Sequence, residues 1–122
     1  MRILIPALAA SMALASSAAL AQAPLYLFMY RPGPAWEAGK PMEQQKNIGP
    51  HAAYIRGLTQ SGRVVAGGPW APGDGGMAIV RAASLDEART LLAADPAIST
   101  GLFTAQIQPW QPLIDSGKPL RP

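Results

Sequence analysis

The run Leu25-Tyr26-Leu27-Phe28-Met29-Tyr30 constrains the fold more than any other part of the chain. It is continuously apolar or aromatic and is closed abruptly by Arg31-Pro32-Gly33-Pro34. A run this short, bounded by proline and glycine, reads as a buried strand rather than a helix. Side chains alternate across a strand, so Leu25, Leu27 and Met29 share one face and Tyr26, Phe28 and Tyr30 the other. Both faces are apolar, so both must be covered. Whatever this chain folds into has to supply two layers around that strand.

The rest of the sequence supplies one of them. Residues 32–41 form a loop that carries Trp36. Residues 42–61 have helical spacing, interrupted at Gly49-Pro50; Pro50 suits a first helical turn and Gly62 the position just past the end. Val64-Val65-Ala66 is a short strand stopped by Gly67-Gly68-Pro69. A glycine-rich turn over residues 71–76 leads into a third strand, Met77-Ala78-Ile79-Val80. Ser84 followed by Glu87 is a capping box, after which Leu85, Ala88 and Leu92 keep helical spacing until Asp95-Pro96. Residues 103–110 form the last strand, with Phe103, Ala105 and Ile107 on one face and Thr104, Gln106 and Gln108 on the other. The order is that of an α+β, ferredoxin-like βαββαβ fold, a four-stranded antiparallel sheet with two helices on one face. A second copy packed sheet to sheet would cover the other face, which predicts a homodimer.

Residues 1–21 read as a secretory signal peptide: a short positive start, an apolar run, and small residues at Ala19-Leu20-Ala21 and Ala21-Gln22-Ala23. Cleavage after Ala21 is expected, with Ala23 as the alternative, disfavoured by Pro24 directly after it. A retained anchor is the rival reading of the same run. The mature chain would be periplasmic or secreted, with no membrane partner once cleaved. It would consist of one domain over residues 22–110 and a proline-rich tail over 111–122. There is no cysteine, so stability must come from a small core. Arg31, Lys40, Lys46, Arg56, Arg63, Arg81 and Arg89 are scattered singly, which excludes the basic stripe a nucleic-acid partner requires.

The only histidine, His51, falls on the stripe of Tyr54, Ile55 and Leu58, and Asp95 on the stripe of Leu85, Ala88 and Leu92. The topology brings the start of the first helix and the end of the second to one end of the molecule. The Gly67-Gly68-Pro69 turn and the 32–41 loop lie there too. A small-molecule site is therefore expected, with His51 and Asp95 as its chemical pair and Trp36, Gly68, Pro69 and Trp70 around its mouth. An aspartate accepting from one imidazole nitrogen fixes the tautomer and leaves the other nitrogen free to take a proton. The first helix's N-terminus opposes a charged imidazolium and Asp95 favours it, so spacing alone leaves the ring's charge open. A bland reading also stays open: Asp before Pro commonly stops a helix and bonds local backbone, and the tryptophans read equally as core or dimer anchors. One histidine and no cysteine are too few for a structural metal site, and no cofactor is expected.

A series of short motifs now gains weight from its order. Pro50-His51 is followed by Tyr54 and Leu58, then Ser61-Gly62-Arg63-Val64, Gly68-Pro69, Ser84-Leu85-Asp86-Glu87-Ala88, Asp95-Pro96 with Gly101, and Pro109-Trp110. Over residues 25–110 the chain resembles the YCII-related (YciI-like) family. The resemblance implies a dimeric α/β-barrel of two ferredoxin-like subunits packed back to back, with an active site on a His–Asp pair that maps to His51 and Asp95. It departs from many relatives at Ala97, where they have an aromatic residue, and at Gly49, where some have an arginine. By analogy it implies a cofactor-independent lyase or isomerase, of dehydrochlorinase or lactone-isomerase type, acting on a small cyclic substrate. The alternative is a non-catalytic protein that binds a small molecule in the same pocket. A haem protein with His51 as axial ligand ranks third, since no second ligand is evident.

Overall fold

The structure is a computed structural model and describes residues 18–120. Residues 1–17, most of the expected signal peptide, lie outside the described residues; residues 18–21 are helical. Among the described residues no helix is long and apolar enough to cross a membrane.

Strand β1 spans Leu25–Pro32 and is followed by a 3-10 turn at Met42–Gln44 and helix α1 at Ile48–Gln60. Strands β2 (Val64–Pro69) and β3 (Gly76–Arg81) come next, then helix α2 (Leu85–Ala93), a one-turn helix α3 (Pro96–Ser99) and strand β4 (Phe103–Trp110). The four strands form one sheet in the order β2-β3-β1-β4, and every neighbouring pair is antiparallel. This is the expected ferredoxin-like α+β fold. The aromatic run occupies an interior position in the sheet, as its two apolar faces require.

The register decides which face meets the helices. Tyr26, Phe28 and Tyr30 are buried, and so are their cross-strand neighbours Val80 and Ala78 and the strand-end Phe103. With Ala88, Ala97 and Leu102 they make one core. The opposite face carries Leu27 beside Ile79 and Gln108, and Met29 beside Met77 and Gln106.

Three local details differ from the expectations. Gly67-Gly68-Pro69 does not stop β2 but continues it: Gly68 pairs with Met77 and Pro69 with Gly76, after a bulge between Val64 and Ala66. β2 is an edge strand, where proline's missing N–H removes no ladder bond. Asp95 does not close α2, which ends at Ala93; it is the N-cap of the separate α3, with Pro96 in that helix's first turn. Ser84 accepts from the Glu87 N–H at 3.1 Å, but Glu87 reaches the Ala83 N–H and Arg63 rather than Ser84's own amide, so the capping box is half made.

The loop after β1 is fixed by a residue the sequence did not single out. Gln45 is buried; its amide donates to the Glu37 and Lys40 carbonyls at 2.8 Å each, and its carbonyl accepts from the Glu37 N–H at 2.9 Å. The start of the same loop bonds to the chain before β4 through Gly33 N–H to Leu102 O and Ala35 N–H to Gly101 O, both at 2.9 Å.

Candidate active site

Three elements each contribute one side chain to a polar cluster centred on the buried Asp95. Asp95 precedes Pro96, and a residue before proline is driven to extended backbone (here φ −72°, ψ 122°), which frees its carboxylate to cap α3. Oδ1 accepts from the Ala97 N–H at 2.8 Å. The backbone-capping role and the pairing role read from the sequence are therefore filled by one carboxylate. His51 sits in the first turn of α1, whose N-cap, Asn47, is left-handed with φ 71°. Its Nδ1 lies 2.9 Å from both carboxylate oxygens of Asp95.

Tyr30, the last helix-facing aromatic of β1, is the third member. Its hydroxyl donates to Asp95 Oδ2 at 2.9 Å. Burial, and then the neighbouring Asp95 charge and hydrogen bond, push the Tyr30 hydroxyl well above the usual tyrosine range. It therefore stays a proton donor to the carboxylate at any physiological pH. Tyr54 is pushed up for the same two reasons, burial first and Asp95 second, and its hydroxyl donates to the Leu91 carbonyl.

Asp95 is fully buried and accepts from Ala97 and Tyr30 while facing His51. An ionised carboxylate only accepts, so in a pair with ionised Asp95 the proton between the two belongs to His51 Nδ1, and Nε2 is the nitrogen outside the pair. Nε2 has no hydrogen-bond partner among the described residues. The imidazole is also held sterically. Tyr30 packs edge-on at 5.2 Å between ring centroids and Phe103 at 5.4 Å. The His51 side chain keeps 16% exposure, enough to meet a ligand.

It borders a cavity of about 510 Å³ between α1 and the β2–β3 pair, within the size range of small-molecule sites. His51, Tyr30 and Phe103 border one end, and Ile55 lies along the α1 wall. The opposite wall is hollow because its residues are small: Ala66, Gly67, Gly76 and Ala78. A side chain at Gly67 would crowd the Met77 carbonyl, and one at Gly76 the Gly68 carbonyl, so the strands admit no filler there.

Of the residues expected at the mouth, Gly68 and Pro69 border the cavity and Trp36 and Trp70 do not. Trp36 stacks on Phe103 at 5.7 Å, one ring removed from His51. Trp70 donates its indole N–H to the Tyr30 carbonyl at 2.8 Å and lies under the Arg31 guanidinium at 4.7 Å. Ala97 is fully buried, and its N–H is the one that donates to Asp95. Tyr30 and Phe103 were missed as site residues. Their signal was available in the alternation of β1 and β4, which puts both on the helix-facing side. Among the described residues no group of three or more His, Asp or Glu side chains could hold a metal ion.

A helix-covered antiparallel sheet, with a His–Asp pair whose carboxylate is buried and whose imidazole borders an apolar cavity, defines a ferredoxin-like fold. The chain belongs to the YCII-related domain family, whose model matches residues 25–111. Among solved structures it is similar to 5-chloro-2-hydroxyhydroquinone dehydrochlorinase from Burkholderia phenoliruptrix AC1100, in complex with 2,5-dihydroxybenzoquinone. The two share 26% identity with a TM-score of 0.57, over 71% of this chain and 93% of that one. No curated protein matches the chain by sequence.

Proposed function

We propose that this protein is a cofactor-independent lyase or isomerase acting on a small cyclic substrate, with His51 as general base and Asp95 as its orienting partner. The observation that carries the reading is the hydrogen-bonded His51–Asp95 pair, with the imidazole bordering an apolar cavity. The similarity to a dehydrochlorinase supports the reaction class. In an elimination, Nε2 takes a proton from a ring carbon, the C–H electron pair becomes a new double bond, and an anion leaves from the adjacent carbon. In an isomerisation the same proton is returned elsewhere on the ring. Either way the imidazolium formed is stabilised by Asp95, which Tyr30 and the Ala97 amide hold in place.

Turnover of chlorinated hydroxyquinols and of small lactones is the direct test. His51→Ala should abolish it with the fold intact, and Asp95→Asn should lower it by roughly two to four powers of ten. A protein that binds such rings tightly and turns none over is instead a binding protein of the same fold.

We further propose that the working unit is an exported homodimer packed through the open sheet face. Leu27, Met29 and Ile79 lie on that face, and Val65 and Trp110 are 49% and 40% exposed in the single chain. Leu27→Lys should convert dimer to monomer in light scattering, because an unpaired charge buried there costs several kcal/mol; a wild-type monomer at micromolar concentration refutes the dimer. Export predicts a mature N-terminus at Gln22 or Pro24 in the extracytoplasmic fraction, read by mass spectrometry. An intact N-terminus in membranes would mean an anchor.

A further inference from the structure

The cavity's chemistry narrows the kind of ring it accepts. Its polar side chains are few, and most are already committed. The Tyr30 hydroxyl is used on Asp95, and the Thr59 hydroxyl donates to the Ile55 carbonyl at 2.8 Å. His51 presents one nitrogen. The remaining charged side chain on the wall is Arg56.

Arg56 differs from the other described arginines. Arg63 pairs with Glu87, Arg89 with Asp86 at 3.2 Å, and Arg81 donates to the Ala21 carbonyl at 2.9 Å, while Arg31 lies over Trp70. Arg56 makes no hydrogen bond or ion pair with any described residue. Its position on α1 is equally particular. It is five residues after His51, which at about 100° and 1.5 Å per residue places it roughly 140° around and 7.5 Å along the helix. Ile48, Ala52, Ile55 and Thr59 occupy the arc between, and all four border the cavity. The base therefore stands at one margin of an apolar floor and an unpaired guanidinium at the other.

We propose that Arg56 is the specificity-determining residue of this pocket, admitting small rings that carry an acidic group, a carboxylate or an enolate-type oxygen, at the end away from His51. This rests on the site reading above and sharpens its substrate class. The planar guanidinium offers paired N–H donors that match such an anion. A neutral ring would cover the same floor but leave the guanidinium partly desolvated without a partner. The charge also steers binding: an acid placed there leaves its far ring edge toward Nε2.

Titration calorimetry on the mature protein tests this with two probes of one ring shape. These are 2,5-dihydroxybenzoquinone, whose hydroxyls are vinylogous carboxylic acids and are ionised at neutral pH, and its neutral dimethyl ether. Wild type should bind the acid at least about tenfold more tightly than the ether, and the preference should shrink with added salt. Arg56→Gln should weaken acid binding about tenfold and leave ether binding within about twofold, with an unchanged melting temperature because the side chain is exposed. If both probes bind and Arg56→Gln changes neither, the anion proposal falls and the pocket reading stands. The anion proposal also falls if wild type prefers the ether. Binding of neither probe at millimolar concentration overturns both. His51→Ala should keep the acid preference, so a variant that also keeps its turnover would remove the base reading and leave this one.

Discussion

The two halves of the helix layer cover the same sheet in opposite ways. Over β1 and β4, helices α2 and α3 approach through small residues. Ala88 and Ala97 are fully buried, and they allow Phe28 and Leu102 to fill the space beneath without exposure. Over β2 and β3 the sizes are reversed. The helix brings Ile48 and Ile55, the strands bring glycine and alanine, and no residue of α1 is buried. The helix does not collapse into the gap because polar ties hold it to its neighbour: His51 to Asp95 and Tyr54 to the Leu91 carbonyl. One half is filled and carries the stability. The other is hollow and held at a distance by hydrogen bonds, and the chemistry sits where the two meet.

The sharpest way to break this contrast is to truncate one side chain in each half. Phe28→Ala removes a fully buried ring from the middle of β1 and should cost about 3–5 kcal/mol. Ile55→Ala removes a half-buried side chain that already faces the cavity, so little new void forms and the loss should be about 1 kcal/mol or less. Urea unfolding of the two variants measures the difference. Equal losses would mean that α1 packs on the sheet as α2 does and that the cavity contributes nothing to how this half is built.

The filled half was the more legible in the sequence. The alternation of residues 25–30, the Ser84 cap and the stripe of Leu85, Ala88 and Leu92 each pointed to the element observed, because burial imposes a period. The errors cluster around glycine and proline, whose local signals have two meanings. Asp95-Pro96 reads as the end of one helix or the start of the next; the structure uses it as a start, one residue beyond the C-cap of α2. Gly67-Gly68-Pro69 reads as a strand stop unless the strand is known to lie at the sheet edge, and that is a fact of topology rather than of local sequence. The His51–Asp95 proximity followed from topology plus two stripes. Tyr30 did not, because nothing local separates a tyrosine that donates to a buried carboxylate from one, such as Tyr26, that only fills a core. The surroundings of the tryptophans were equally hidden: both sit near the site's end of the fold, with their rings engaged by Phe103 and by the Tyr30 carbonyl.

Tyr30 is the residue at the seam, and its removal gives the smaller but more diagnostic effect. Tyr30→Phe keeps the ring that packs on His51 and Phe103 and deletes only the donor to Asp95. Asp95 retains the Ala97 amide and His51, so the stability loss should be about 1–2 kcal/mol, below that of Phe28→Ala. The sign of its pH dependence follows from the raised hydroxyl. In the folded chain burial and Asp95 keep Tyr30 protonated, whereas in the unfolded chain it ionises near the free value of about 10. Above that pH the unfolded state binds fewer protons than the folded state, so the stability Tyr30 contributes is present below about pH 10 and declines as pH rises beyond it. The variant lacks this group but keeps Tyr54, whose own shift continues to act. Urea midpoints of wild type and Tyr30→Phe should therefore stand apart near neutral pH and converge above about pH 10. A gap that stays constant into the alkaline range would show that the Tyr30 hydroxyl is not held by Asp95, and the carboxylate that faces the base would then be fixed on the filled side by the Ala97 amide alone.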